Sequence, residues 1–381
     1  MNDIHTTSGS APAEPGIVIV TGSNGRIGEA VMKRLAGRFS AVIGFDRAAP
    51  TPQPDCVYVP VEITSDDSVR AGLATIRAHH GRNVAAVIHL AAYYDFFGKP
   101  SSKYTEITVN GTRRLLNGLR DLDFDVEQFI FSSTMLVHRP CQPGQFINED
   151  WPIEPTWAYP ESKVRTERVI HEEHGAFPAV VLRIAGVYDD GFHSIPLANQ
   201  MKRIEERQFT SHLYSGSTAH GQSFLHMDDL VDVIERSVGH RAALPPETTL
   251  VIGEPEVISY DELQHTFARL LHGQDWETLE IPTQLAPFAK AGAFVLEHLP
   301  GADPFIRPWM IDRANDHYAL DITAARSLLG WEPQHSLRTS LPGMVEGFKA
   351  DPNSWYREND LEPPSSLRRK HAAVAATEAQ L

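Results

Sequence analysis

From Ile17 to about Tyr188 the chain alternates short apolar runs with longer segments whose apolar positions recur at helical spacing. The runs are Ile17 to Val20, Ala41 to Phe45, Val57 to Val61, Val84 to Ala92, Gln128 to Ser132 and Ala179 to Ile184. Near-continuous apolar strands separated by helices predict parallel strands covered on both faces. The predicted class is therefore α/β, a doubly wound parallel sheet. After Tyr188 the rhythm breaks: Pro, Gly and His interrupt the chain, and the clearest helical patterns are Met227 to Val238 and Tyr260 to Leu271. Residues 16–188 thus read as the sheet domain, and 189–362 mainly as a smaller lobe across the carboxyl ends of the strands, where open α/β sheets place their ligand crevice. Residues 1–15 and 363–381 have little to bury and read as flexible tails.

The first strand runs into Thr21-Gly22-Ser23-Asn24-Gly25-Arg26-Ile27-Gly28, followed by a helix with Ile27, Val31 and Leu35 on one face. Glycines here permit a tight turn, bring backbone N–H groups against a pyrophosphate, and let helix and strand pack closely. Asp46 ends the second strand at about the distance where a Rossmann unit places the acid that binds the adenosine ribose. A carboxylate there repels a 2′-phosphate and favours NAD, while the adjacent Arg47 could receive that phosphate and admit NADP. Further on, Tyr159 and Lys163 stand four residues apart at the start of a predicted helix, so their side chains share a face. A nearby ammonium lowers a tyrosine pKa and suits it to proton transfer. Upstream, Phe131-Ser132-Ser133-Thr134 closes a strand where a hydroxyl can hold a substrate oxygen.

Taken in order, these motifs resemble an extended short-chain dehydrogenase/reductase of the NAD-dependent epimerase/dehydratase family, over roughly Ile17 to Ser237, with an echo at Leu329-Gly330-Trp331-Glu332-Pro333. The resemblance implies an NAD-binding Rossmann domain over 16–188 and a substrate-binding lobe. It places the pyrophosphate at Gly22, Gly25 and Gly28 with Arg26 and Ile27 beside it, the ribose at Asp46 next to Arg47, and the adenine beside Glu62 and Ile63. Leu90, Ala91 and Ala92, after His89, form the strand end under the cofactor, together with Ser132. Thr134 becomes the catalytic hydroxyl and Tyr159 the acid/base. Lys163 lowers the tyrosine pKa and binds the nicotinamide ribose. Gly111-Thr112 and Phe224-Leu225-His226-Met227-Asp228-Asp229 match further family motifs.

The departures bear on substrate. Met135 and Leu136 follow Thr134 where dehydratases and decarboxylases of the family carry a carboxylate, so dehydration of that kind is not expected. Gln222 replaces a diphosphate-binding Arg, Gly186 an Asn that contacts substrate, and Thr108 an Asn. Lys202, Arg203 and Arg207 could supply a replacement cation, but read as facing solvent. The loop with Tyr93, Tyr94, Phe96 and Phe97, then Tyr104, is aromatic, and Tyr94 is a candidate substrate contact beside Thr134, Gly186 and Gln222. The apolar 285–311 segment resembles inserts of hydroxysteroid- or flavonoid-type relatives, and both features suit a less polar substrate. The expected function is hydride transfer between bound NAD and a secondary alcohol or ketone carbon. Its alternatives are a nucleotide-sugar epimerase and, in another class, a non-catalytic NAD-sensing binding protein.

Composition narrows the partners. The 381 residues carry a net charge of −15, with no basic run longer than Arg368-Arg369-Lys370, which disfavours nucleic acid. Two cysteines, Cys56 and Cys141, suit packing in a reducing, cytoplasmic setting. No basic, apolar leader opens the chain, and Leu285 to Leu296 is too short to span a bilayer. His171-Glu172-Glu173-His174 and His79-His80 lack a third ligand at metal-site spacing, so no metal is expected. A small-molecule substrate is the expected partner, with a homodimer left open.

Overall fold

The structure, a computed structural model, describes residues 14–48, 56–299, 304–365 and 367. The first half is β1 (Glu14–Thr21), α1 (Arg26–Leu35), β2 (Phe39–Asp46), β3 (Cys56–Pro60), α2 (Asp66–His80), β4 (Asn83–His89), α3 (Asn110–Asp121), β5 (Phe129–Thr134), α4 (Ala158–Glu173) and β6 (Ala179–Ile184). Then follow α5 (Ile195–Glu205), α6 (Met227–Gly239), β7 (Glu247–Ile252), α7 (Tyr260–His272), α8 (Ala286–Glu297) and α9 (Pro308–Asp312). The seven strands form one parallel sheet in the order β3-β2-β1-β4-β5-β6-β7, with the two-residue strand Asp125–Val126 added beside β4. The order reverses between β1 and β4, and a crevice opens there at the strands' carboxyl ends.

β1 shows why the apolar runs become central strands. Val18 and Val20 pack with Val31, Met32 and Leu35 of α1, whereas Ile17 and Ile19 pack on the other face with Leu73 and Ile76 of α2 and Leu115 of α3. A strand apolar on both faces is stable only between two helix layers. A third core holds the lobe together around Phe192, Phe267, Phe348, Trp355 and Tyr356.

Several boundaries differ from the sequence reading. β4 stops at His89, short of Ala92, because the Leu90 amide bonds the Thr21 carbonyl at 3.2 Å and the Ala91 and Tyr93 amides turn to the Thr21 and Thr108 hydroxyls at 3.2 and 2.9 Å. β5 continues through Thr134. The division at 188 is less sharp than its sequence suggests, since β7 pairs with β6 and α6 packs its Leu230, Val233 and Ile234 into the core of the sheet. Of the tails, Glu14 already pairs with Phe39 in β1 and Leu367 packs on the lobe core, whereas 1–13, 366 and 368–381 lie outside the described residues. No helix among the described residues is long and apolar enough to cross a membrane.

Candidate active site

At the crevice, the glycine loop is held by its own backbone. The Gly25 amide donates to the Gly22 carbonyl at 3.1 Å, and Gly25 then caps α1 with no side-chain hydrogen bond. The first-turn N–H groups of α1 therefore stay available to an anion, at the positive end of the helix dipole. Gly22 has φ 70°, and a Cβ there would lie 2.9 Å from the Ala91 amide nitrogen. At Gly28 a Cβ would lie 2.2 Å from the Gly22 carbonyl oxygen. This close backbone approach, with uncapped N–H donors, is the cradle a dinucleotide pyrophosphate needs. Ile27 packs against the sheet core, and Arg26 reaches the Glu358 carbonyl at 3.0 Å.

Asp46 closes the cradle at the end of β2, accepting from the Asn24 amide at 3.0 Å and the Arg47 amide at 2.7 Å. Arg47 is exposed beside it. Glu62 turns inward onto Thr64, accepting from its hydroxyl at 2.8 Å and its amide at 3.1 Å, and these bonds hold its carboxyl below the usual range. Ile63 packs where a Cβ on Gly111 would come within 2.9 Å, which accounts for that glycine.

Beneath the loop runs a polar chain that sequence reading had not joined. Thr112 donates to the Thr108 carbonyl at 2.6 Å, so it accepts from His89 Nε2 at 2.8 Å, and His89 Nδ1 in turn accepts from Thr21 at 2.7 Å. Burial holds the His89 pKa down to about 3, with Lys163 adding to the effect. The imidazole is thus neutral and fixed in one tautomer under Leu90 and Ala91.

The predicted triad converges where β5 ends and α4 begins. Thr134 accepts from the Leu136 amide at 3.3 Å, and its hydroxyl lies beside the Tyr159 phenol, where it draws the phenol pKa down. Lys163 is almost fully buried on α4, its Nζ 5.7 Å from the Tyr159 ring centroid and 4.7 Å from that of Phe131. The ammonium does not reach the phenol. It donates to the Ser132 carbonyl at 2.6 Å, and burial lowers its pKa to about 7 against an opposing pull from Glu167. The Tyr159 hydroxyl lies above its ordinary pKa, raised by burial and by Tyr94 and Tyr104, with the neighbouring Thr134 pulling the other way. This differs from the lowered tyrosine that the motif suggests, because in the protein alone burial dominates the phenol's surroundings. Behind β5, Arg183 pairs with Glu167 at 2.8 Å, and Glu167 also accepts from Ser133.

Above the triad the aromatic loop divides. Tyr104 is core, edge-on to Tyr93, whereas Tyr94 stands edge-on to Tyr159 with ring centroids 4.9 Å apart. Phe96 stacks on Phe305 at 5.7 Å, and Trp157 lies between Tyr159 and Trp309, at 5.5 and 5.7 Å. These rings open onto a cavity of about 580 Å³ that extends from Leu136 and Trp157 into the lobe under α8 and α9. Ala289, Ala293, Leu296 and Trp309 supply much of its apolar wall. Gln222 lines it too, with its amide nitrogen 3.4 Å from where a Cβ on Gly186 would stand. Gly186 and Gln222 are thus neighbours. Sequence patterns did not single out Trp157, whose only signal is its place two residues before Tyr159.

One polar residue departs from expectation. Arg207 is exposed, but Arg203 is buried and lines the cavity, because α5 turns that face toward α7. The His171 and His174 rings both bond Glu247, at 2.7 and 3.1 Å, tying α4 to β7.

Comparison with known proteins agrees with this architecture. The family model described as "NAD dependent epimerase/dehydratase family" matches residues 18–253. UDP-glucose 4-epimerase of Vibrio cholerae is 22% identical over 354 residues, covering 91% of this chain and 97% of that protein. A 3 beta-hydroxysteroid dehydrogenase/Delta 5-->4-isomerase of Mycobacterium tuberculosis is 24% identical over 362 residues, covering 89% and 93%. The solved UDP-glucuronic acid 4-epimerase of Bacillus cereus, in complex with NAD, superposes with a TM-score of 0.64 at 20% identity over 88% of this chain and 99% of that one. With the family match spanning sheet, glycine loop and triad, the chain belongs to the NAD dependent epimerase/dehydratase family, whose cofactor is NAD.

Proposed function

We propose that the protein is an enzyme that moves hydride between NAD and a secondary alcohol or ketone carbon, with Thr134, Tyr159 and Lys163 as its working groups. The observation that carries this reading is the convergence of the three side chains beside the cavity: the Tyr159 ring lies 5.5 Å from that of Trp157, which lines the cavity, with Thr134 beside the phenol and Lys163 one helical turn away. NAD, when bound, supplies the hydride acceptor or donor. The Gly22 to Gly28 loop holds the pyrophosphate on its free N–H groups, and Asp46 bonds the adenosine ribose and repels a 2′-phosphate. Thr134 orients the substrate oxygen, and Tyr159 takes or returns the proton on that oxygen. Lys163, one helical turn from Tyr159, serves the nicotinamide ribose.

Net oxidation or reduction and transient oxidation during epimerisation use the same three groups. A nucleotide-sugar epimerase is the second reading, favoured by relatives named UDP-glucose 4-epimerase and dTDP-L-rhamnose 4-epimerase and by a guanidinium, Arg203, on the cavity wall. A cofactor sensor would not need the retained triad. The test is a panel of hydroxysteroids, aryl carbinols and UDP- and dTDP-sugars supplied in excess with NAD, followed by NADH absorbance and product mass. On the substrate so found, Tyr159→Phe should lower turnover by about 10²–10⁴-fold with NAD affinity retained. Near-normal turnover in that variant rules the mechanism out.

A further inference from the structure

Arg203 is the observation that the proposed chemistry leaves over. It lies on α5 with 5% of its surface exposed and forms part of the cavity wall. Its guanidinium donates to the Thr210 carbonyl and lies beside Tyr260, which lines the same cavity, while Nε is buried with no partner. Among the described residues no carboxylate oxygen lies within 4.0 Å of it. A buried guanidinium is costly unless a counter-charge faces it. The cavity's other guanidinium, Arg313, also has a partnerless buried Nε but is bonded to Thr156 and has a carboxylate, Asp316, 4.0 Å away.

We propose that Arg203 is an anion subsite, and that the substrate of the reaction proposed above is an amphiphilic anion. It would bear one carboxylate- or phosphate-type group on an otherwise apolar body. The anionic oxygens pair with the guanidinium where it borders the cavity, with Tyr260 beside them, and the body lies against Ala293, Leu296, Phe305 and Trp309. One unopposed cation matches a single anionic group. Gln222, also on the wall, is neutral, and the second guanidinium, Arg313, already has Asp316 4.0 Å away, so Arg203 is the cavity cation with no carboxylate of its own. The inference rests on the proposed site but is tested by equilibrium binding alone, so a Tyr159→Phe protein that stayed active would remove the mechanism without touching this subsite.

The test titrates decanoate, decanol and UDP into the NAD-loaded full-length protein and into Arg203→Met and Arg203→Lys, with thermal melts to verify folding. A hydrogen bond to a charged group is typically worth enough to change affinity by about tenfold or more. Decanoate should therefore bind at least about tenfold more tightly than decanol, Arg203→Met should abolish that preference, and Arg203→Lys should keep part of it. Equal binding of decanoate and decanol by the unmodified protein overturns the proposal, as does a preference that survives in Arg203→Met. UDP binding more tightly than decanoate also overturns it, in favour of a nucleotide diphosphate. Should Arg203→Met not fold, the decanoate-to-decanol ratios of the unmodified protein and Arg203→Lys decide.

Discussion

Lys163 illustrates how far a single residue can be read. Its spacing from Tyr159 is plain in the sequence, but its partner, the Ser132 carbonyl, comes from a strand edge that only the fold brings near. Burial takes its pKa from 10.5 to about 7 in the folded protein. Between these values the unfolded chain holds a proton that the folded protein lacks, so this group makes the unfolding free energy rise with pH across that window. Lys163→Met removes the contribution. Urea denaturation of the protein without added NAD, at pH values from 7 to 10, should show stability climbing more steeply for the unmodified chain than for the variant. Equal slopes would mean that the lysine is not buried as described. His89, held neutral to about pH 3, contributes nothing to that slope.

At the scale of elements, the glycine loop and α1 are one device, and both were legible because their chemistry is local. A methyl group on Gly28 meets backbone, the Gly22 carbonyl oxygen at 2.2 Å and Ser23 Cα at 2.7 Å, and neither can swing aside. Gly28→Ala should lose about 1–3 kcal/mol of stability and weaken NAD binding. Gly239, at the end of α6, has open space around its added Cβ and makes the control. NAD titration and urea melts of the two variants check this; equal NAD affinity in Gly28→Ala would show that the loop does not approach the cofactor as inferred. The end of β4 was less legible, because side-chain hydroxyls from Thr21 and Thr108 end it, and apolar pattern does not register such bonds.

The whole molecule depends on chain that returns late. β7 completes the sheet edge from within the region read as lobe, and the segment Pro352–Glu358 brings Trp355 and Tyr356 into the third core while Glu358 accepts from Arg26 of the glycine loop. Trp355 packs edge-on to Phe348 at 5.1 Å and to Phe192 at 6.0 Å. Trp355→Ala should cost roughly 3–5 kcal/mol, read as a fall in the urea midpoint. A loss under about 1 kcal/mol would mean that this core is not well packed.

What the sequence determined by itself is what short-range rules control. Strand runs apolar on both faces, a glycine turn before a helix, an acid at a strand end and a Tyr–Lys pair one turn apart each follow from spacing within a few residues. The tertiary structure decided whatever depends on which groups meet across long loops. It set Gly186 beside Gln222, turned Arg203 inward beside Tyr260, divided the aromatic loop between core and cavity, and gave Glu247 to a histidine pair that resembled a metal motif. Burial and partnership are properties of packed surfaces, and no local pattern of apolar and polar residues encodes the counter-charge that a distant helix will supply or withhold.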